Sequence, residues 1–251
     1  MKAPKLNAKT ATRAECSRAL TSESASALIG ILERPKLERR PRSLWHHIGA
    51  ASFMATYPAV MTVRDSDLPA LTDGVVCIRP FAATDVAALV EIWTDPTIRA
   101  RNTVPQPSEK AALRWIAGHS ATAASGEAWE WALVDAATNA LAGRRALKGI
   151  NWGQGRASAA CWVAPGFRGR QFAARSLRLA AAHAFSRGLV RVQAECEADN
   201  EASMRSVRSA GMRHEGTLRS FFVSNAGAHV DAETYALLAD DLANAPAFRS
   251  S

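Results

Sequence analysis

Long apolar runs are missing from this chain. No stretch approaches the ~18 consecutive apolar residues of a membrane span. The longest run near the start, "ALIGIL", is too short and too far in for a secretory signal. Cysteine is scarce: Cys16, Cys77, Cys161 and Cys196 lie far apart, with no CxxC pair. The spacing supports neither a disulfide framework nor a zinc site, and fits free thiols in a reducing cytoplasm. His46 and His47 have no ligand partner in range, so no metal is expected, and no internal repeat is visible.

What is present suits a globular domain. The 251 residues are 48% apolar, enough for a sizeable core. The net charge of +8 is uneven: residues 1–60 hold 10 Lys/Arg against 4 Asp/Glu, and the remainder is nearly balanced. The basicity belongs to the head, so the overall charge makes no case for nucleic-acid binding by the folded part. Residues 1–72 read as a basic, disordered extension, with a short helix around Ala25 to Leu32. Met61 begins a stretch that reads like a natural start, which would make the first 60 residues upstream sequence.

From Gly74 onward the pattern is orderly. "VVCIRPF" is a strand. "AATDVAALVEIWTD" is a helix with Thr84 as its cap, and a second helix starts at Ser108 and closes at Gly126. "AWEWALVDAATNALAGRRALKGIN" forms two strands, the second interrupted by Arg144 and Arg145. "RASAACWVAP" is a strand, followed by a helix from Gly169 to Arg187. "LVRVQAECEA" and "NEASMRSVRSA" are a strand and a helix, and a hairpin closes the fold. The order β-α-α-β-β-β-α-β-α-β-β is mixed α/β over residues 73–240, with 241–251 as a tail.

"VAPGFRGRQFAARSL" carries the first chemical signal. A strand running through a tight turn into a helix exposes free main-chain N–H groups whose dipoles favour an anion. Gly169, Ala173 and Ala174 leave room for a diphosphate, and Arg168 and Arg170 add positive charge.

This stretch resembles the acetyl-CoA-binding motif of the GNAT N-acetyltransferases. "RVQAECEADNEASMRSVRSAGMRHEGTLR" and the closing "HVDAETYALL" are similar to the branch that acetylates ribosomal-protein N-termini (RimJ/RimL-like). The resemblance implies a GNAT fold, a strongly twisted mixed sheet flanked by helices. It implies acetyl-CoA as co-substrate and a primary amine as acceptor. Arg168, Gly169, Arg170, Gln171, Phe172, Ala173 and Ala174 match the turn that holds the CoA diphosphate. Trp162 and Val163 match the strand that pairs with pantetheine, where a bulge aims an N–H at the thioester carbonyl. Asn200 matches the residue that contacts the cofactor arm, and Ser203 the proton donor beside the departing thiolate. Relatives often dimerise, so a homodimer is among the implied partners; a membrane or nucleic acid is not. Two positions depart from the pattern. Gln171 replaces the central glycine, and a side chain there crowds the diphosphate or bonds to it if its backbone is right-handed. Ser158 stands where a glutamate is often found, and Cys161 where a tyrosine is.

A missing base bears on the acceptor. Near pH ~7.5 about a third of α-amines are neutral, but only about one lysine in a thousand. An enzyme without a strong base handles an α-amine more easily. Two carboxylates are candidate bases. Glu130, on the strand face opposite Trp129, Trp131 and Leu133, is expected partly buried with a raised pKa; Glu195 shares its face with Arg191 and Gln193. The favoured function is transfer of acetyl to a protein N-terminal α-amine. The alternatives are a small amine such as an antibiotic or polyamine, and a catalytically weak acyl-CoA-binding relative.

Overall fold

The computed structural model describes residues 68–224 and 227–248. The expected N-terminal helix, the start at Met61, Cys16, His46 and His47 all lie outside them.

Two short strands, β1 (Leu71–Thr72) and β2 (Val76–Arg79), open the fold as an antiparallel pair. A turn follows at Ala83–Asp85, where Asp85 meets the buried guanidinium of Arg79 through two bonds of 2.8 Å. Helix α1 (Val86–Ile92) starts after Asp85, so Thr84 lies inside the turn and does not cap it. Its Val86, Leu89 and Ile92 turn inward at helical spacing. A helix the sequence reading did not place, α2 (Pro96–Arg101), comes next, with Pro96 at its first position and Asp95 accepting from the Ile98 N–H at 2.8 Å. Helix α3 (Glu109–Ser125) is capped by Ser108 and stopped by left-handed Gly126, as expected.

Strands β3 (Ala128–Asp135), β4 (Leu141–Asn151) and β5 (Arg156–Val163) form an antiparallel meander. Contrary to expectation, Arg144 and Arg145 do not interrupt β4. Both are buried: Arg144 bonds to Glu130 from β3, and Arg145 lies under the next helix. A methyl group at Gly143 would sit 2.2 Å from the Trp162 carbonyl oxygen, so glycine alone lets β4 lie this close to β5. Helix α4 (Phe172–Ser186) crosses to β6 (Arg191–Glu197), which is parallel to β5. Helix α5 (Glu201–Ser209), strands β7 (Arg213–Val223) and β8 (His229–Leu237) and helix α6 (Ala239–Ala243) complete the described chain.

Among the described residues the eight strands form one sheet in the order β1-β2-β3-β4-β5-β6-β8-β7. Its two faces bury separate cores. Trp129, Trp131, Leu133, Ala194 and Cys196 pack with residues of α4 and α5, whereas Ala132, Val134 and Trp162 pack with residues of α1 and α3. Alternation along each strand does this, since neighbouring side chains point to opposite faces. No described helix is long and apolar enough to cross a membrane.

The sheet is split at its centre. β5 and β6 pair only at Arg156–Arg191, Ala157–Val192 and Ser158–Gln193. Beyond that point each strand continues, β5 to Val163 and β6 to Glu197, without its neighbour. A gap opens there between two parallel strands, at the end from which α4 departs.

Candidate active site

The turn between β5 and α4 borders this gap. Gly169 (φ 77°) and Gln171 (φ 61°) are both left-handed and flank Arg170. Such turns draw successive N–H groups into one concavity suited to an anion. Among the described residues, no protein acceptor meets the main-chain N–H of any residue from 169 to 174. The last four are the ordinary donors of a helix start, and the turn adds two more.

Neither arginine of the turn is idle. Arg168 donates to Asp95 at 2.7 Å and to the Val163 carbonyl at 3.1 Å, tying the turn to the start of α2. Burial pushes the Asp95 carboxyl up, but bonds from Arg168 and main-chain N–H groups carry it below its usual range. Arg170 reaches Asp135 at 3.1 Å and lies against the rings of Phe167 and Phe172. Part of the charge expected for phosphate is thus shared with carboxylates.

Gln171 does not have the right-handed backbone on which its bonding role depended. Left-handed geometry in a residue with a Cβ costs about 1–2 kcal/mol. Gln171→Gly should therefore stabilise the chain by about 0.5–1 kcal/mol, net of the entropy glycine adds to the unfolded state. Urea unfolding checks this; equal or lower stability would show that the turn is not strained.

Main-chain alternation assigns the edge of β5. The Ala164 N–H bonds to the Ala142 carbonyl, and the register runs unbroken from Gly143–Val163 to Lys148–Ser158. The main-chain groups of Trp162 and Ala160 therefore face β4, and those of Cys161 and Val163 face the gap. This corrects two expectations. Trp162 does not offer its backbone to the gap, and there is no bulge at Trp162–Val163; the register shift of this pair lies between Lys148 and Asn151. Cys161, noted in the sequence as standing in place of a tyrosine, is not among the residues expected to meet the cofactor, because only the register reveals which amide is free.

Across the gap, Asn200 caps α5 by accepting from the Ser203 N–H at 3.1 Å. The Ser203 hydroxyl lies 3.1 Å from the Cys196 sulfur on β6. Burial pushes the Cys196 thiol up, so it stays protonated at neutral pH. Arg101, the last residue of α2, bonds to Glu197 and reaches Asp199 at 2.8 and 3.0 Å, linking α2 to this corner.

Glu195, on the other face of β6, accepts from the Ser158 hydroxyl at 2.6 Å and from the Gln193 amide at 2.9 Å. The serine found in place of the common glutamate thus holds a glutamate from the neighbouring strand. Glu130 stands elsewhere, on β3, against Arg144 at 2.5 Å and His119 at 3.2 Å. Its expected raised pKa is not found. Burial pushes the carboxyl up, but Arg144, His119 and Lys148 together hold it below its ordinary value.

His119, which the sequence did not flag, is pushed by burial down to about 4, against the pull of Glu130. Its Nε2 lies near Glu130 but out of line for a hydrogen bond. Its folded pKa lies below its unfolded value of 6.5, so this stability is complete above pH 6.5 and is lost as pH falls towards 4. The loss should be about 3 kcal/mol, and His119→Gln should flatten that part of the profile in urea unfolding measured from pH ~7 to ~4. An equally steep profile in the variant would assign the loss to other groups.

Residues 76–213, more than half the chain, match the acetyltransferase (GNAT) domain family. No curated protein sequence is significantly similar. Among solved structures, RimJ of Mycobacterium smegmatis in complex with CoA-disulfide is 24% identical, with a TM-score of 0.60 over 67% of this chain and 84% of that one. The ribosomal-protein-S5-alanine acetyltransferase of Vibrio fischeri is 14% identical, with a TM-score of 0.61 over 69% and 98%. The microcin C7 self-immunity acetyltransferase MccE, in complex with acetyl-CoA and AMP, is 16% identical, with a TM-score of 0.59 over 66% and 93%. At these identities the structural likeness shows the fold, and the match over residues 76–213 shows the family: the chain belongs to the GNAT acetyltransferases, enzymes that take their acetyl group from acetyl-CoA.

Proposed function

We propose that this enzyme transfers acetyl directly from acetyl-CoA to a protein N-terminal α-amine, of the kind carried by ribosomal proteins. The observation that carries the reading is the row of six N–H donors at residues 169–174, without a partner among the described residues, beside the split between β5 and β6. The donors suit the diphosphate, and the split admits the pantetheine arm along Cys161 and Val163. One of these two amides donates to the thioester carbonyl as negative charge develops on it.

The two faces of β6 divide the work. Cys196 and Ser203 lie on the α5 face, with Asn200 beside them, and Glu195 lies on the other. The cofactor enters from the α4 side and the amine from the opposite side, over Ala160 and Glu195. The amine nitrogen attacks the thioester carbon and the C–S bond breaks. The amine proton passes to Glu195, and the departing thiolate accepts a hydrogen bond from the Ser203 hydroxyl. Glu130 has no part, because Arg144 holds it. An α-amine suits this site, since a single carboxylate most readily assists an amine that is already partly neutral. The ribosomal-protein-S5-alanine acetyltransferase among the similar folds supports the same acceptor class.

Thiol release from acetyl-CoA by the full chain tests this, with Ala- and Ser-starting peptides set beside polyamines and aminoglycosides. Turnover should be fastest with the peptides. Turnover confined to small amines would overturn the acceptor assignment, and CoA binding without turnover would mark a catalytically weak relative.

A further inference from the structure

Three arginines are buried in the described structure: Arg79, Arg144 and Arg145. Arg79 has Asp85, and Arg144 has Glu130. Arg145 is 3% exposed, and among the described residues no carboxylate pairs with it. Its guanidinium bonds only to neutral oxygens: the Ala173 carbonyl at 2.5 Å, the Ala160 carbonyl at 3.3 Å, and the Ser176 hydroxyl at 3.1 and 3.2 Å. An arginine keeps its proton in such a place, so a full positive charge is buried with no opposite one beside it among the described residues. Burying an ion this way is costly, and proteins ordinarily balance it.

The position of the charge suggests what balances it. Arg145 stands opposite Cys161 in the β4–β5 register, behind the strand edge that faces the gap. Two of its acceptors, Ala173 and Ser176, belong to the first turns of α4, the helix whose N–H groups stand free. The cation is thus bonded both to the start of α4 and to β5, the strand that borders the gap, and the cation and the helix start each favour negative charge.

We propose that Arg145 is a positioning residue whose buried charge is left unbalanced in the free enzyme and is balanced by the diphosphate of the bound cofactor. This rests on the acetyl-CoA reading of the 169–174 turn. The arginine also pins α4 to β5, since its bonds reach both. It would therefore set the place of the free N–H groups as well as add to their field. In a low-dielectric interior a buried charge is little screened by salt.

The proposal separates two quantities that a purely structural arginine would move together. Replacing a buried, unbalanced ion by an apolar side chain of similar size removes its desolvation cost, which offsets the loss of its bonds to α4 and β5. Arg145→Met should therefore melt, without ligand, at or above the native temperature. Its affinity for CoA, measured by calorimetry, should fall roughly tenfold or more. Inorganic pyrophosphate should lose the same factor, because the charge acts on the diphosphate. A methionine variant that binds CoA as the native chain does would overturn the proposal. So would one that loses CoA but keeps pyrophosphate, since that marks a role in shape alone. If the methionine variant fails to fold, a folded Arg145→Gln variant that binds CoA as the native chain does overturns the proposal. Failure of the native chain to bind CoA would instead defeat the reading of the turn itself.

Discussion

Ala173→Asp is expected to remove CoA binding without weakening the fold. Ala173 is the second residue of α4, where an aspartate is welcome: its charge suits the positive end of the helix, by about 0.3–1 kcal/mol. The same carboxylate would take up free N–H groups meant for the diphosphate and set like charge against it. At ~4 Å, two like charges in a partly screened site repel by about 4 kcal/mol, so the CoA dissociation constant should rise a hundredfold or more. The melting temperature should stay level or rise slightly. Calorimetry and thermal unfolding on one preparation check both halves. Native-like CoA affinity in a folded Ala173→Asp chain would mean that the diphosphate lies elsewhere.

Glu195→Gln carries the second large effect. The amide keeps the shape of the carboxylate and can still accept from the Ser158 hydroxyl, but it cannot take a proton. Loss of a positioned base costs roughly 10²–10⁴ in rate, and the lower end is expected because an α-amine is already partly neutral near pH ~7.5. The deficit should shrink as pH rises towards ~9 and the amine loses its own proton in solution. Steady-state turnover with an N-terminal peptide, followed from pH ~6.5 to ~9, gives the profile. A loss below about threefold would remove Glu195 from the mechanism. Glu130→Gln should differ in kind, lowering stability because it strands the buried Arg144 charge.

The sequence disclosed the elements more fully than the site. Hydrophobic period placed β2, the helix ending at Gly126 and the long helix α4, because each buries one regular face. It missed α2, which has only six residues and depends on a proline and an aspartate at its start. It misjudged Arg144 and Arg145 because charge normally interrupts a buried strand. Their partners, Glu130 and the first turns of α4, come from elsewhere in the chain. The turn at 168–174 was legible from its glycine, arginines and small residues. The gap was not, since it is a matter of where β5 stops pairing with β6, and no residue type marks that point. The choice between Glu130 and Glu195 was likewise a question of neighbours. One is locked by arginine, and the other is held by a serine and a glutamine.

The most direct measurement is a crystal structure of the chain with CoA bound. The diphosphate oxygens should lie within hydrogen-bonding distance of several N–H groups of residues 169–174. The pantetheine arm should run in the gap past Cys161 and Val163, with its sulfur near Ser203. A CoA seated outside the β5–β6 gap, with that turn untouched, would contradict the account.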